Sequence, residues 1–203
     1  MPRTHQSVHQ TSFPGVRAVR LRTDHTFAKH SHDEFGIGVI TDGAHRSTSG
    51  QGVVEAEKGD VITVTPGEIH DGAPLSGASR SWTMLYFEPG IVAAHIEAEE
   101  FGSPESLEFH QPVVHGLQYR ERFARVLRLA STKELLESEM QSEEALTSLF
   151  SGLLRRKTTC ATTNANAAER VLELINDAPS APNTLSGLEQ AGGMSRYNAI
   201  RAV

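Results

Sequence analysis

Between residues 16 and 87 the hydrophobic positions fall in short runs cut by turn residues. Apolar and β-branched residues fill 16–21, 35–41, 53–56, 61–65 and 82–87, and the gaps hold Asp24, Asp42-Gly43, Gly50, Gly52, Lys58-Gly59, Pro66-Gly67 and Asp71-Gly72. Such runs fit a pleated surface, and such gaps supply the backbone conformations that end a strand. The spacing predicts an all-β barrel or sandwich with no helix of useful length. One stretch, 30–43, alternates twice. On a strand, residues two apart share a face. His30, His32, Glu34, Gly36 and Gly38 are therefore expected to look one way, with open space before the glycines, and Phe35, Ile37 and Val39 the other. That is the pattern of a strand lining a pocket.

Beyond Pro89-Gly90 the pattern changes. Residues 91–98 read as a short helix and 107–114 as a returning strand. From Leu117 the period is helical: Tyr119, Phe123, Val126, Leu127 and Ala130 recur on one face, and Leu146, Leu149, Phe150, Leu153 and Leu154 form the stripe of a second helix. Ser131-Thr-Lys-Glu134 and Ser138-Glu-Met-Gln141 both match the capping-box pattern. The two stripes need cover, from the β-domain, from a second copy of the chain, or from each in turn. The small polar run at 158–165 reads as a linker, and a helix is expected from Asn166 to about Asp177. After Ala178-Pro179-Ser180-Ala181-Pro182 comes a shorter helix at 185–191, a Gly192-Gly193 turn, and a last helix capped by Ser195.

Composition narrows the class. The chain has 203 residues, a formal net charge of −6 and one cysteine, Cys160, which excludes an internal disulfide. No apolar run approaches the ~18 residues of a membrane span, and the first residues lack the apolar centre of a signal peptide, so a cytoplasmic protein is expected. The negative balance argues against a nucleic-acid footprint over the whole chain and leaves room for a small DNA-reading element at one end.

Two groups of residues carry candidate chemistry. His30 and His32 are joined by His70, which follows the Pro66-Gly67 turn. Three imidazoles suit a divalent transition metal, but they equally form the polar wall of a pocket. The pocket reading takes His30, His32, Gly36, Gly38, His70, Trp82 and Tyr86 as ligand-binding residues, with Trp82 also readable as plain core. His5, His9, His25, His45, His95, His110 and His115 lack comparable spacing and read as surface or incidental residues. At the C-terminus, the 185–203 pattern has helix-turn-helix spacing. Ser195 starts its second helix, where Arg196, Tyr197, Asn198 and Arg201 are the groups such a helix would present to DNA.

The segments 30–43 and 59–70 resemble the two motifs of the cupin superfamily, a double-stranded β-barrel. That resemblance implies metal ligation by His30, His32 and His70. It also exposes a departure, because the position of the family's carboxylate ligand holds Gly36 or Ile37, and Glu34 reaches it only through a bulge. The order of barrel, paired helices, linker and an Ala-Gly-Gly-Met-Ser-Arg turn resembles the AraC family of bacterial transcriptional regulators. It implies an N-terminal arm at 1–15, most simply without fixed structure, and a cupin-like sensor at 16–116. A helical dimerisation segment at 117–157, the linker, and a partial DNA-binding domain at 166–203 would follow. It further implies a small-molecule effector, DNA and a second copy as partners, no catalysis and no cofactor beyond a possible metal. The family carries two helix-turn-helix units and this chain stops inside the first, so weak or absent DNA binding is expected of it. A metal-dependent cupin enzyme, a dioxygenase or isomerase, is the competing reading; a ligand-binding dimer without DNA contact is a third.

Overall fold

The computed structural model describes residues 4–75, 77–96, 106–131 and 138–157. The described residues up to Arg156 belong to one compact unit. The chain begins with β1 (His5–Gln10), β2 (Val16–Thr23), β3 (Phe27–His30), β4 (Phe35–Asp42), β5 (Ala44–Ser49), β6 (Gly52–Glu57), β7 (Val61–Val64), β8 (His70–Pro74) and β9 (Arg80–Phe87). It continues with α1 (Pro89–Ala94), β10 (Leu107–Phe109), β11 (Val113–Val114), α2 (Leu117–Ala130), α3 (Ser138–Phe150) and β12 (Leu154–Arg156). A six-stranded sheet has the order β1-β2-β9-β4-β7-β11, a four-stranded sheet the order β3-β8-β5-β6, and β10 pairs with β12. The fold is mainly β, with helices added after the ninth strand.

Strand alternation explains the layering. On the six-stranded sheet, Val16, Ala18, Phe35, Ile37, Val39, Leu85 and Phe87 belong to one buried cluster with Phe123, Val126, Leu146, Leu149 and Phe150 of the helices. The opposite face of the same strands turns toward the four-stranded sheet. Both helical stripes are therefore covered by the β-unit itself. Phe87 and Phe150 meet edge to face at 5.2 Å, a favoured aromatic geometry. Arg125 ties α2 to α3 through the Glu144 carboxylate at 2.9 Å.

Several expectations are corrected here. The arm at 1–15 is not without structure, because residues 5–10 pair in antiparallel register with β2, from His5↔Arg22 to Gln10↔Arg17. After this strand, the Ser12 amide and hydroxyl both donate to the Ala130 carbonyl, at 2.9 and 3.1 Å, satisfying a carbonyl that the end of α2 leaves without a helical partner. The 107–114 strand is two strands in different sheets, divided around Pro112. The helix expected at 91–98 begins at Pro89, whose fixed φ suits the first helical turn; residues 97–98 lie outside the described residues.

Ser131 is the C-cap of α2 rather than an N-cap, with its amide bonded to the Arg128 and Leu129 carbonyls. The Ser138 capping box falls on side chains outside the described residues. The second helix stops at Phe150. Gly152, at φ +77, turns the chain so that Leu154 enters a strand instead of a fourth helical turn. Among the described residues, no helix is long and apolar enough to cross a membrane.

Candidate functional site

A cavity of about 250 Å³ lies between the two sheets. Its walls follow from the period of two. From one sheet β2 turns in Arg17, Val19 and Leu21, and β9 turns in Trp82, Met84 and Tyr86; from the other, β5 turns in His45, Ser47 and Ser49. Gln6 of β1 also reaches the lining, as do His30, His32 and His70. A mostly apolar wall with a few placed polar groups is the usual composition of a small-molecule site.

Gly36 and Gly38 do not line this cavity, and the space before them is not open. His30 and Gly36 are not on one continuous strand: β3 ends at His30, and β4 restarts at Phe35 in the other sheet. A methyl at Gly36 would lie 2.9 Å from Met84 Cε, and one at Gly38 2.0 Å from Met84 Sδ and 2.7 Å from the Thr83 carbonyl oxygen. The glycines let Met84 lie flat on β4, and Met84, buried at 2% exposure, forms the wall in their place.

The three histidines do converge, although from different segments. Their nearest ring nitrogens lie within 4.8 Å of one another. Ring centroids are 4.5 Å apart for His30 and His70, 5.0 Å for His30 and His32, and 5.2 Å for His32 and His70. His30 and His70 have Nδ1 at 2.8 and 3.1 Å from the Ala28 and Glu68 carbonyl oxygens. A carbonyl only accepts, so each Nδ1 carries the proton and each Nε2 keeps a lone pair for the cluster. Burial pushes the His32 imidazole down to about 4, helped by His70, His30 and Arg17 nearby, and burial also lowers His70. Neutral imidazoles with free nitrogens are the donor set a divalent transition metal requires.

Glu34 does not join them. The Arg17 Nε–H donates to both Glu34 carboxylate oxygens at 3.0 Å, and the Arg17 guanidinium lies 4.0 Å from the Tyr86 ring centroid. Burial raises the Tyr86 phenol, so it stays protonated. The residues present fit a three-histidine site without a carboxylate.

Toward the other end stand Phe27, Trp82 and His45. Phe27 meets Trp82 edge to face at 6.3 Å, and His45 lies 5.8 Å from Trp82. His45 accepts at Nδ1 from the Nε–H of Arg80 at 2.8 Å. Reading His45 as a surface residue is therefore corrected: the ring is a cavity wall, with its pKa pushed down to about 4 by burial and by Arg80. The signal for it was the alternation His45, Ser47, Ser49, which is too polar to announce a strand face. Arg80 gave no sequence signal, since its partners are 35 and 55 residues away. Ser195, Arg196, Tyr197, Asn198 and Arg201, the linker and Cys160 lie outside the described residues.

The profile of the family described as "AraC-like ligand binding domain" matches residues 13–150. Among curated proteins, none matches the chain in sequence. Similar solved structures include a variant oxalate decarboxylase of Bacillus subtilis, 17% identical with a TM-score of 0.34, over 36% of this chain and 21% of that one. KdgF from Halomonas sp. is 17% identical with a TM-score of 0.37, over 42% of this chain and 81% of that one. A conserved Streptococcus pyogenes protein of unknown function is 13% identical with a TM-score of 0.38, over 43% and 75%. The chain thus spans about a fifth of the length of the oxalate decarboxylase, 21%.

Proposed function

This chain belongs to the AraC-like ligand binding domain family, and we propose that its barrel is the sensing module of a transcriptional regulator, taking a small molecule into the cavity between the two sheets. The observation that carries this reading is the cavity itself, walled from both sheets and touched by β1 through Gln6. The chain after β1 is tied to α2 through Ser12 and Ala130. A ligand that contacts Gln6 therefore acts on a segment physically joined to the helices. It shifts the protein between arrangements only by its difference in affinity for them.

In the same reading the 185–203 segment, with Ser195, Arg196, Tyr197, Asn198 and Arg201, is the part that faces DNA, and this chain by itself holds DNA weakly or not at all. The chain acts in the cytoplasm as a homodimer, which the exposed apolar side chains of Leu117 and Met140, 55% and 82% accessible on α2 and α3, support. The test is hydrogen exchange read at β1 and at its junction with α2. A compound that binds the barrel is expected to slow exchange of the β1 amides and of the Ser12 amide that bonds the Ala130 carbonyl. Binding that leaves both unchanged would sink the regulator reading.

The histidine cluster supports a second reading, a metal-dependent cupin enzyme. His30, His32 and His70 would hold the ion, and a bound metal would supply open coordination positions and Lewis acidity. Around it, Tyr86 and the Arg17–Glu34 pair would orient whatever enters beside His32. Elemental analysis of the purified protein decides: one metal per chain, lost in His70→Ala while the fold is kept, supports a metal site. A metal-free wild type that takes up no zinc, iron or manganese on dialysis excludes it.

A further inference from the structure

Along β2 the outer face of the six-stranded sheet changes character. Val16 and Ala18 belong to the core under the helices, but the next two residues on that face, Arg20 and Arg22, are exposed. The sheet register sets their neighbours. His5, Arg22 and Ser81 form one row across β1, β2 and β9, and Ser7, Arg20 and Thr83 form another. Between the rows run Gln6, Leu21 and Trp82, which by alternation turn their side chains to the cavity on the other face. The two rows are therefore the walls of a hollow floored by backbone. Its volume is about 380 Å³, with Thr41 of β4 also in its lining.

One guanidinium thus rises from each wall, two residues apart on one strand, roughly 7 Å between Cα atoms. Among the described residues no carboxylate forms an ion pair with Arg20 or Arg22, and none lines the hollow. Asp42 stands opposite Ser81 in the register of β4 but is not part of the lining. Arg17, Arg46, Arg125 and Arg155 each have a carboxylate partner. In a chain of net charge −6, two neighbouring cations that repel one another have been left uncompensated. The groups beside them, Ser7, Ser81 and Thr41, carry hydroxyls that can donate.

We infer that this hollow binds a phosphate group, free or as the monoester of a small molecule, bridged between the Arg20 and Arg22 guanidiniums and hydrogen-bonded by the hydroxyls of Ser7 and Ser81. A carboxylate has two oxygens and one charge, and a single guanidinium fork fills it. A phosphate monoester has three terminal oxygens and about two charges at neutral pH, which matches two forks. The site is separate from the cavity, since it lies on the opposite face of the same three strands.

The test titrates the full chain with phenyl phosphate, phenyl sulfate and inorganic phosphate, at constant ionic strength in a phosphate-free buffer, by calorimetry and melting temperature. Phenyl phosphate is expected to bind once per chain and about tenfold or more tighter than the singly charged sulfate, the scale of one charge-assisted hydrogen bond. Arg20→Gln and Arg22→Gln each weaken phosphate binding by about tenfold or more, and both variants melt close to the wild type because the two side chains are exposed. Ile62→Phe, which enlarges a residue of the cavity wall, leaves phosphate binding unchanged. Inorganic phosphate binding as tightly as phenyl phosphate supports the free ion as the ligand, and tighter binding of phenyl phosphate supports an ester. Equal affinity for phosphate and sulfate, binding that survives both arginine variants, binding lost in Ile62→Phe, or no binding at all would each overturn the inference.

Discussion

His45 and His32 are held neutral chiefly by burial, and the sign of that shift fixes the response to acid. Both fall from an ordinary 6.5 to about 4. Between those values the unfolded chain binds protons that the folded chain refuses, so stability rises with pH across the window and is lost as pH falls from 6.5 toward 4. The urea midpoint is expected to drop steadily over that range. Replacing His45 by Gln flattens the drop by roughly 1.4 kcal/mol per pH unit at most, less any screening by solvent. A pH-independent midpoint between 4 and 6.5 would contradict the assignment. The histidines at 30, 32 and 70 were legible because two are spaced by strand period and the third follows a Pro-Gly turn. His45 and Arg80 were not, because their chemistry exists only where β5 and β9 bring them together.

At the scale of elements, β4 depends on close contact with β9. Gly38 sits opposite Met84 in the sheet register, and a methyl there would stand 2.7 Å from the Thr83 carbonyl oxygen, a backbone atom with little freedom to yield. Gly38→Ala is expected to destabilise the fold by about 1–3 kcal/mol, measured by urea unfolding. Adding Met84→Ala recovers only the part due to the side chain. Full recovery would show that the Thr83 backbone imposes no constraint. The strands β2, β4, β7 and β9 could be read from the sequence because their outer faces are buried under the helices and therefore apolar. Strands β5 and β8 escaped, since their inward residues are His45, Ser47, Ser49, His70 and Gly72, chosen for the cavity and not for a hydrophobic core. The glycines of β4 face Met84, with Tyr86 also beside Gly36. What one strand could not reveal is that a methionine from its neighbour fills the space they leave.

For the whole molecule, the two faces of one sheet divide the work. The outer face, with Phe35, Ile37, Leu85 and Phe87, packs the helices into the core. The inner face, freed from that duty, carries Arg17, Trp82 and Tyr86 around a cavity. A sensing domain needs both, a rigid support and a space that a ligand completes. The chain has a single tryptophan, and it lines that space. Titration of Trp82 emission with a compound that raises the melting temperature therefore tests the central claim most directly. The account predicts a saturable change with one site per chain, lost when Ile62, another cavity residue, is enlarged to Phe. A compound that stabilises the protein without altering Trp82 emission, and that binds Ile62→Phe as well as the wild type, would place the ligand site elsewhere and contradict it.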